Sequence, residues 1–234
     1  MITDVTVVIA THDRPDWLAT CIRGVQLSAE VARSRDISTR ILVVDDGSHD
    51  DRSRRVCDAL AVSYLRNPFP DGRNDPSAAR VFGLEHVDSE AHVFFDDDDV
   101  MLPRFLSLHG EALHEDYDIA YSPFWVTDAD LRAVRCQRHL PVRLGDLLAD
   151  HCMVNDHCMV RTAVARDVWD PTLEKAMPFG AWLELAFRGR SFVQLREPTY
   201  LYRRHSANMS TSAATDPRMV QLRTQLLERY AALV

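Results

Sequence analysis

The sequence predicts an α/β fold, in which helices flank both faces of a mixed, mostly parallel sheet. Three apolar runs carry this prediction: residues 5–10 (VTVVIA), 41–44 (ILVV) and 92–95 (HVFF). Such runs are typical of strands that are buried on both faces, as in parallel sheets. Because amphipathic stretches separate the runs, the order strand, helix, strand, helix, strand favours a Rossmann-like arrangement.

The first half of the chain predicts three helices between these strands. Apolar residues recur at helical spacing over 17–35, so the first helix is placed there. Asp50 or Asp51 can cap a second helix, and a short strand follows near 62–65. A loop rich in proline, glycine and asparagine then leads to Ser77, where a third helix begins.

The second half has a looser pattern. It predicts a helix over 104–115 and then strands over 119–126 and 132–140 in an antiparallel arrangement, with further strand-like stretches over 152–161 and 192–205. The stretch AWLELAFRG predicts a helix that ends at Gly189, since glycine is the preferred residue just beyond a helix. Asp216 and Pro217 predict the start of a last helix, because Pro is favoured in a first turn.

Composition excludes several classes of protein. The 234 residues suit one sizeable core, and no apolar run approaches the roughly 20 residues that a membrane span needs. A formal net charge of −8 gives no basic field to hold nucleic acid. Five scattered cysteines and the lack of a basic N-terminal leader predict reduced thiols and a cytoplasmic location.

Polar segments follow three of the predicted strands: residues 11–15 (THDRP), 45–51 (DDGSHDD) and 96–99 (DDDD). Ligands bind beyond the carboxyl ends of parallel strands, so these segments are expected to meet at one cleft. Four adjacent carboxylates repel one another, and solvent, a cation or proton uptake must relieve that repulsion. The alternatives are a metal site and a solvated acidic turn.

Seven motifs in a fixed order carry a family resemblance. They are VVIATHDRPDWLATCI, ILVVDDGSHDD, NDPSAARVFGLE, VFFDDDDVMLP, VWDPTL, AWLELAFRG and YLYRRHSANMS. Their order and spacing resemble those of family 2 glycosyltransferases with the GT-A fold, over roughly positions 4–210. The resemblance implies a metal-dependent enzyme that moves a sugar from a nucleoside diphosphate sugar, UDP-linked by preference, to a hydroxyl acceptor with inversion.

The resemblance also implies roles for individual residues. The nucleotide-binding residues would be Ala10, His12, Asp45, Asp46, Arg80, Asp96 and Asp97. Mn²⁺ or Mg²⁺ would be held by Asp98, Asp96 and His205, and the pyrophosphate by Arg203 and Arg204. Both cations prefer oxygen ligands and use one or two carboxylates together with phosphate oxygens and water. Asp99 is expected to cap the turn ahead of Val100.

One domain with two halves is expected. Residues 1–103 would bind the nucleotide sugar, 104–214 would form the acceptor side, and 215–234 would be a C-terminal helix through which a homo-oligomer could form. The partners would be the donor and a hydroxyl acceptor, with no nucleic acid. A sugar-phosphate nucleotidyltransferase would need a glycine-rich loop after the first strand, and THDRPD contains no glycine.

The catalytic base is the point where the family pattern fails. Inverting members carry a carboxylate pair before the Trp-containing helix, and Met177 and Pro178 stand there in this chain. A general base must accept the proton of the acceptor hydroxyl, which neither residue can do. The candidates for a relocated base are Asp156 and Glu174, ahead of His157 and Glu184. A further alternative is that the acceptor needs little help from a base, or that the substrate or a partner supplies one. The alternative function is a nucleotide-sugar-binding module that has lost catalysis.

The repeat HCMVNDHCMV at 151–160 raises a second metal hypothesis. Two histidines and two cysteines could bind zinc only if Asn155 and Asp156 formed a hairpin turn. In a continuous strand, the histidines and the cysteines would point to opposite faces. A strand beside the acceptor region is the favoured interpretation.

Overall fold

A computed structural model describes residues 2–68, 75–114, 117–149, 154–206, 208 and 216–233. Its described strands form a seven-stranded sheet and a four-stranded sheet. Helices lie on both faces of the larger sheet and separate hydrophobic clusters fill the two sides. The predicted α/β fold is confirmed.

The larger sheet has the strand order β10-β6-β9-β4-β1-β2-β3. Its strands are β1 (Asp4–Thr11), β2 (Ser38–Asp45), β3 (Ser63–Arg66), β4 (Ala91–Asp96), β6 (Ile119–Tyr121), β9 (Met159–Arg161) and β10 (Phe192–Gln194). Strand β9 is antiparallel to β4 and β6, and every other neighbouring pair is parallel. The antiparallel arrangement expected of 119–126 and 132–140 is confirmed where Phe124–Thr127 pairs with Ala133–Gln137, whereas Ile119–Tyr121 joins the larger sheet.

The smaller sheet has the strand order β5-β11-β7-β8. Its strands are β5 (Val100–Met101), β7 (Phe124–Thr127), β8 (Ala133–Gln137) and β11 (Tyr200–Arg203). Because β5 directly follows the four aspartates and β11 pairs with it, this sheet brings the late YRRH segment to the acidic turn.

All the predicted helices are present, but the one expected from Ala181 begins four residues earlier at Met177, and three short helical segments between 144 and 176 were not expected. The helices are α1 (Pro15–Arg33), α2 (Arg52–Ala59), α3 (Ser77–Leu84), α4 (Phe105–His114), α5 (Leu144–Leu148), α6 (Thr162–Ala165), a 3₁₀ helix (Pro171–Ala176), α7 (Met177–Phe187) and α8 (Pro217–Ala231). Asp50 accepts the backbone N–H of Arg52 at the start of α2, and Asp216 accepts that of Arg218 in α8. Gly189 follows α7 with a φ of 69°, as its predicted position beyond the helix requires.

Strand β1 shows why the first apolar run is continuous. Val7 and Ile9 pack on the face covered by α1, whereas Val8 and Ala10 pack on the face covered by α3 and α7. All four are at most 8% exposed. With both faces buried, the central strand is mostly apolar, its buried Thr6 is hydrogen-bonded to Ser89, and a run of polar residues begins where the strand ends.

Helix α8 folds back on its own chain. Met219, Leu226 and Tyr230 are buried, and the Tyr230 hydroxyl donates to Glu184 of α7. These three side chains of the helix are thus covered within one molecule, whereas Val220 is 49% exposed, and a homo-oligomer stays a prediction. None of the described helices is long and apolar enough to cross a membrane. The described cysteines are all unpaired.

Two buried histidines predict a loss of stability in acid. Burial lowers the pKa of His92 to about 3 and that of His109 to about 4. The unfolded chain takes up a proton at each imidazole near pH 6.5, whereas the folded protein does so only at these lower values. Stability is therefore lost as the pH falls below 6.5, by about 2 kcal/mol per histidine between pH 7 and pH 5.

The variant His109→Asn tests this assignment by urea unfolding at both pH values. Its loss of unfolding free energy between pH 7 and pH 5 should be about 2 kcal/mol smaller than that of the wild type. His86→Asn is the matched control, because His86 also contacts the carbonyl four residues before it and a phenylalanine ring, but is exposed. An unchanged pH dependence in His109→Asn would contradict the assignment.

Candidate functional site

The carboxyl ends of β1, β2 and β4 open into a cavity of about 810 Å³. This volume lies within the range of roughly 300–1,000 Å³ that is typical of small-molecule sites. Residues from all three polar strand ends line it: Ala10, Thr11, His12, Arg14, Asp46, Asp96, Asp97 and Asp98. The segments predicted to converge therefore share one cavity, although more than 80 residues separate the first from the last.

The second and third of the four aspartates contact groups from β1 and its turn. Asp97 accepts the Thr11 hydroxyl at 2.7 Å and an Arg14 N–H at 3.2 Å. Asp98 accepts from the same Arg14 nitrogen at 3.0 Å. Burial raises the pKa of Asp97 to about 7, against the opposing charge of Arg14. One arginine thus offsets part of the repulsion between adjacent carboxylates.

Asp99 has a different role from the one expected. Its carboxylate accepts from His157 Nε2 at 2.7 Å and from the backbone N–H of Arg203 at 2.8 Å. The expectation that it caps the turn before Val100 is wrong, because these partners come from distant segments. Burial alone would lower the pKa of His157, but its bond to Asp99 and the charges of nearby carboxylates raise it to about 9. The buried pair fixes the acidic turn to the late strands.

The acidic turn fits a hard divalent cation. One oxygen from each of Asp96, Asp98 and Asp99 lies within 4.8 Å of the others. An all-oxygen set suits Mg²⁺ or Mn²⁺. Because Asp99 is held by His157 and Arg203, the two carboxylates that remain for an ion at the cavity are Asp96 and Asp98, which both line it. The residues that would hold the cation are therefore these two.

Arg80 lies in the cavity wall and joins two aspartates. Its side chain is 4% exposed, and it donates to Asp96 and to Asp156. Burial would lower its pKa, but these carboxylates raise it. Helix α3 begins at Ser77, whose backbone N–H donates to Asp75, and Ser77 lines the cavity. Arg80 follows within the first turn of this helix, so its guanidinium lies beside the same cavity.

The two aspartates after β2 have separate positions. Asp46 lines the cavity, accepts from the Asn67 side chain at 2.7 Å, and its carbonyl accepts from His12 Nδ1 at 3.0 Å. Asp45 is fully buried and accepts the Ser48 N–H and the Tyr64 hydroxyl. Asp46 and His12 thus both line the cavity, whereas Asp45 closes the turn and is not among the lining residues.

The two arginines of the YRRH segment also have separate positions. Arg204 lines the cavity, whereas Arg203 is 6% exposed and donates to the carbonyls of Asp98 and Ala129. The prediction that Arg203 faces a pyrophosphate is not supported by this placement, because the backbone occupies its guanidinium. His205 Nε2 lies 2.9 Å from Asp98 Oδ2, which puts it beside the acidic turn as expected.

Both favoured base candidates line the cavity. Asp156 is bound by Arg80, and Glu174 is bound by Arg218 of α8 at 2.7 Å. Glu174 has φ 50° and ψ −132°, a rare backbone conformation that is often found at functional sites. Its carbonyl accepts the Ser77 hydroxyl at 2.9 Å, which helps to hold that conformation.

The other candidates are placed elsewhere. His157 is buried in its pair with Asp99, and Glu184 accepts from Arg188 and Tyr230 on the outer side of α7. At the expected base position Met177 is fully buried, and Pro178 only adds an apolar surface to the cavity.

Sequence reasoning missed two parts of the site. Arg14, which contacts both Asp97 and Asp98, stands in the THDRP segment, so its position at a strand end could have identified it. The second part is one wall of the cavity, which α8 forms with Met219, Val220, Arg223, Thr224 and Leu227. No local pattern indicates that a helix so far along the chain returns to the first strands.

The zinc hypothesis for HCMVNDHCMV falls partly outside the described residues, since His151 and Cys152 are not among them. In the described part, Cys158 donates to the Asn155 carbonyl at 3.0 Å, and His157 is bound to Asp99. No cluster of potential metal ligands in the described residues contains a cysteine.

Comparison with known proteins gives a family and a fold. The model of Glycosyl transferase family 2 matches residues 6–165. The structure of S. aureus TarS 1-349 in complex with UDP-GlcNAc is 14% identical, with a TM-score of 0.69 over 97% of this chain and 71% of that one. TarS 1-349 alone is 13% identical, with a TM-score of 0.66 over 95% and 72%. The longer TarS structure is covered over only 43% of its length. No curated protein sequence matches.

These likenesses confirm the GT-A fold that the motif order implied. The likeness extends over nearly the whole chain, since the matches cover 95% and 97% of it. At 13–14% identity, the structural likeness carries the fold and nothing more.

Proposed function

Because the chain belongs to glycosyl transferase family 2, we propose that it transfers a sugar from a UDP-linked donor to a hydroxyl acceptor, with inversion at the anomeric carbon. The observation that carries this proposal is the convergence of Asp46, Asp96 and Asp98 on one cavity at the ends of parallel strands. A TarS structure contains UDP-GlcNAc, which favours a UDP-linked donor for a chain of the same fold.

The nucleoside would lie between the ends of β1 and β2. Asp46 can accept the N–H of a uracil ring, and the neighbouring His12 can stack on the base. Asn67 orients the Asp46 carboxylate through its own N–H bond. Asp96 and Asp97 would face the ribose or a water bound to the cation.

Departure of the nucleotide builds negative charge on the pyrophosphate. When bound, Mn²⁺ or Mg²⁺ would offset that charge at Asp96 and Asp98. Arg204 is the cation from the late segment that faces the cavity and would bind the phosphates. Arg14 and His205 hold the Asp98 carboxylate in place, so they would act as positioning residues.

The acceptor hydroxyl must lose a proton as its oxygen attacks, and we propose Glu174 as the base. Inversion requires attack from the side opposite the departing pyrophosphate. One oxygen of Asp156 lies within 4.8 Å of one of Asp96, on the donor side, whereas Glu174 contacts Ser77 and α8. The wall that contains Glu174 therefore suits the acceptor.

A thermal-shift panel of nucleotide sugars with Mn²⁺ tests the donor site. At a ligand concentration about 100-fold above Kd, binding adds about 2.7 kcal/mol of stability. For a chain of this length we expect the midpoint to rise by roughly 5–10 °C with the correct donor. EDTA should remove most of the shift. No shift across UDP-linked and other nucleotide sugars would overturn the proposal of a donor site.

A binding module without catalysis is the second candidate function. The replacement of the usual carboxylate pair by Met177 and Pro178 favours it, because neither side chain can take a proton. Slow Mn²⁺-dependent hydrolysis of the donor identified by the panel distinguishes a transferase from a binding module. A module would bind that donor without turnover, whereas release of UDP would exclude this alternative.

A further inference from the structure

A second group of potential metal ligands lies beside the cavity, apart from the four aspartates. It consists of His12, Asp13 and His49, whose ligand atoms lie within 4.8 Å of one another. The first two residues follow β1, and the third belongs to the turn after β2. Neighbouring parallel strands thus bring two imidazoles and one carboxylate together.

The backbone holds the carboxylate at the centre of this group. Asp13 adopts a φ of 54°, which is uncommon for a residue other than glycine. Its N–H donates to the Ser48 hydroxyl at 3.0 Å, and its Oδ1 accepts the backbone N–H of His49 at 2.8 Å. With one oxygen fixed in this way, Oδ2 points towards both imidazole rings.

The tautomer of His12 presents a ligand atom to the same point. Nδ1 lies 3.0 Å from the Asp46 carbonyl, which can only accept, so Nδ1 carries the proton. In the neutral ring, Nε2 then has a lone pair, and it lies 3.5 Å from Asp13 Oδ2. Histidines that bind metals use this arrangement, in which the second ring nitrogen donates to a carbonyl.

The third ligand atom completes the group. His49 Nδ1 contacts Asp13 Oδ2, and 85% of the His49 side chain is exposed. When the neutral His49 ring carries its proton on Nε2, the lone pair of Nδ1 is available to an ion that enters from solvent on the His49 side.

We propose that His12, Asp13 and His49 form a binding site for a divalent transition metal of the Zn²⁺ type. Two nitrogens and one oxygen suit Zn²⁺, Ni²⁺ or Co²⁺, whereas the all-oxygen set at the acidic turn suits Mg²⁺ or Mn²⁺. Three protein ligands leave the remaining position of the ion for water. The two sites would thus differ in the cation they prefer.

Calorimetric titration of the full chain with Zn²⁺ tests this site. Excess Mg²⁺ is kept in the buffer to saturate the all-oxygen cluster. We expect one Zn²⁺ site in the wild type, with an affinity that falls at least about tenfold in His49→Ala and in Asp13→Asn, since each variant removes one of three ligands. His86→Ala, which removes another exposed histidine, should leave the affinity unchanged.

A second control identifies the location of the ion. His205→Ala removes the imidazole beside the acidic turn and leaves the proposed site intact. Loss of Zn²⁺ binding in His205→Ala but not in His49→Ala would place the ion at the acidic turn and overturn the proposal. The absence of Zn²⁺ binding to the wild type would overturn it as well.

Discussion

Replacing Asp98 with alanine is expected to abolish Mn²⁺-dependent binding of the nucleotide-sugar donor. Asp98 is 8% exposed and lines the cavity, so its carboxylate is only partly hydrated and is accessible to an ion in the cavity. The variant loses a proposed ligand and leaves Arg14 and His205 without the carboxylate that they share. Donor affinity in Mn²⁺ should fall by about 100-fold or more, close to 2.7 kcal/mol.

The measurement compares donor binding in Mn²⁺ and in EDTA. The wild type should lose most of its affinity in EDTA, whereas Asp98→Ala should bind equally weakly in both buffers. Asp98→Asn keeps the size of the side chain and an acceptor for Arg14, so it separates the loss of charge from the loss of packing. Asp88→Ala, at a side chain that is 94% exposed, is the control and should behave as the wild type. Sugar transfer by Asp98→Ala at the wild-type rate would show that the assignment is wrong.

Strand burial explains why the donor side could be predicted from sequence. Strand β1 is buried on both faces, so its apolar run ends abruptly and the next polar residues must face the end of the sheet. The same rule holds after β2 and β4, and it places His12, Asp46 and Asp96 at one cavity.

Adjacent residues could not be separated by the same reasoning. Asp45 and Asp46 are neighbours of one type, yet one closes a turn and the other faces the cavity. Arg203 and Arg204 differ in the same way, because Arg203 is the last residue of β11 and its guanidinium reaches the carbonyl of Asp98. Which of two neighbouring residues faces a ligand depends on the local turn geometry. Two adjacent residues of the same type give no sequence signal that specifies this geometry.

The acceptor side depends on contacts between distant segments. Helix α8 forms one wall of the cavity, and Arg218 in its first turn binds Glu174 at 2.7 Å. Glu174 in turn adopts an unusual backbone conformation just before α7. A sequence pattern shows that α8 is an amphipathic helix, but it does not show what its apolar side packs against.

Replacing Glu174 with glutamine is expected to reduce the rate of sugar transfer by roughly 10²–10⁴-fold, the usual contribution of a general base. Glutamine keeps the size and an oxygen acceptor for Arg218, so the wall formed by α8 should persist. Donor affinity in Mn²⁺ should remain unchanged, because Glu174 contacts Ser77 of α3 and Arg218 of α8, whereas the proposed cation ligands are Asp96 and Asp98. The expected signature is therefore a low kcat with an unchanged Kd for the donor.

Asp156→Asn is the matched variant, because it makes the same chemical change at the other base candidate. Asp156 shares the buried guanidinium of Arg80 with Asp96, so its loss should disturb the donor side and weaken donor binding. Steady-state transfer and donor calorimetry on both variants separate the roles. If Asp156→Asn instead kept donor affinity and lost kcat while Glu174→Gln remained active, Asp156 would be the base. The acceptor hydroxyl would then attack from the donor side of the cavity. Because inversion requires attack opposite the pyrophosphate, the sugar would have to lie between Asp156 and the pyrophosphate.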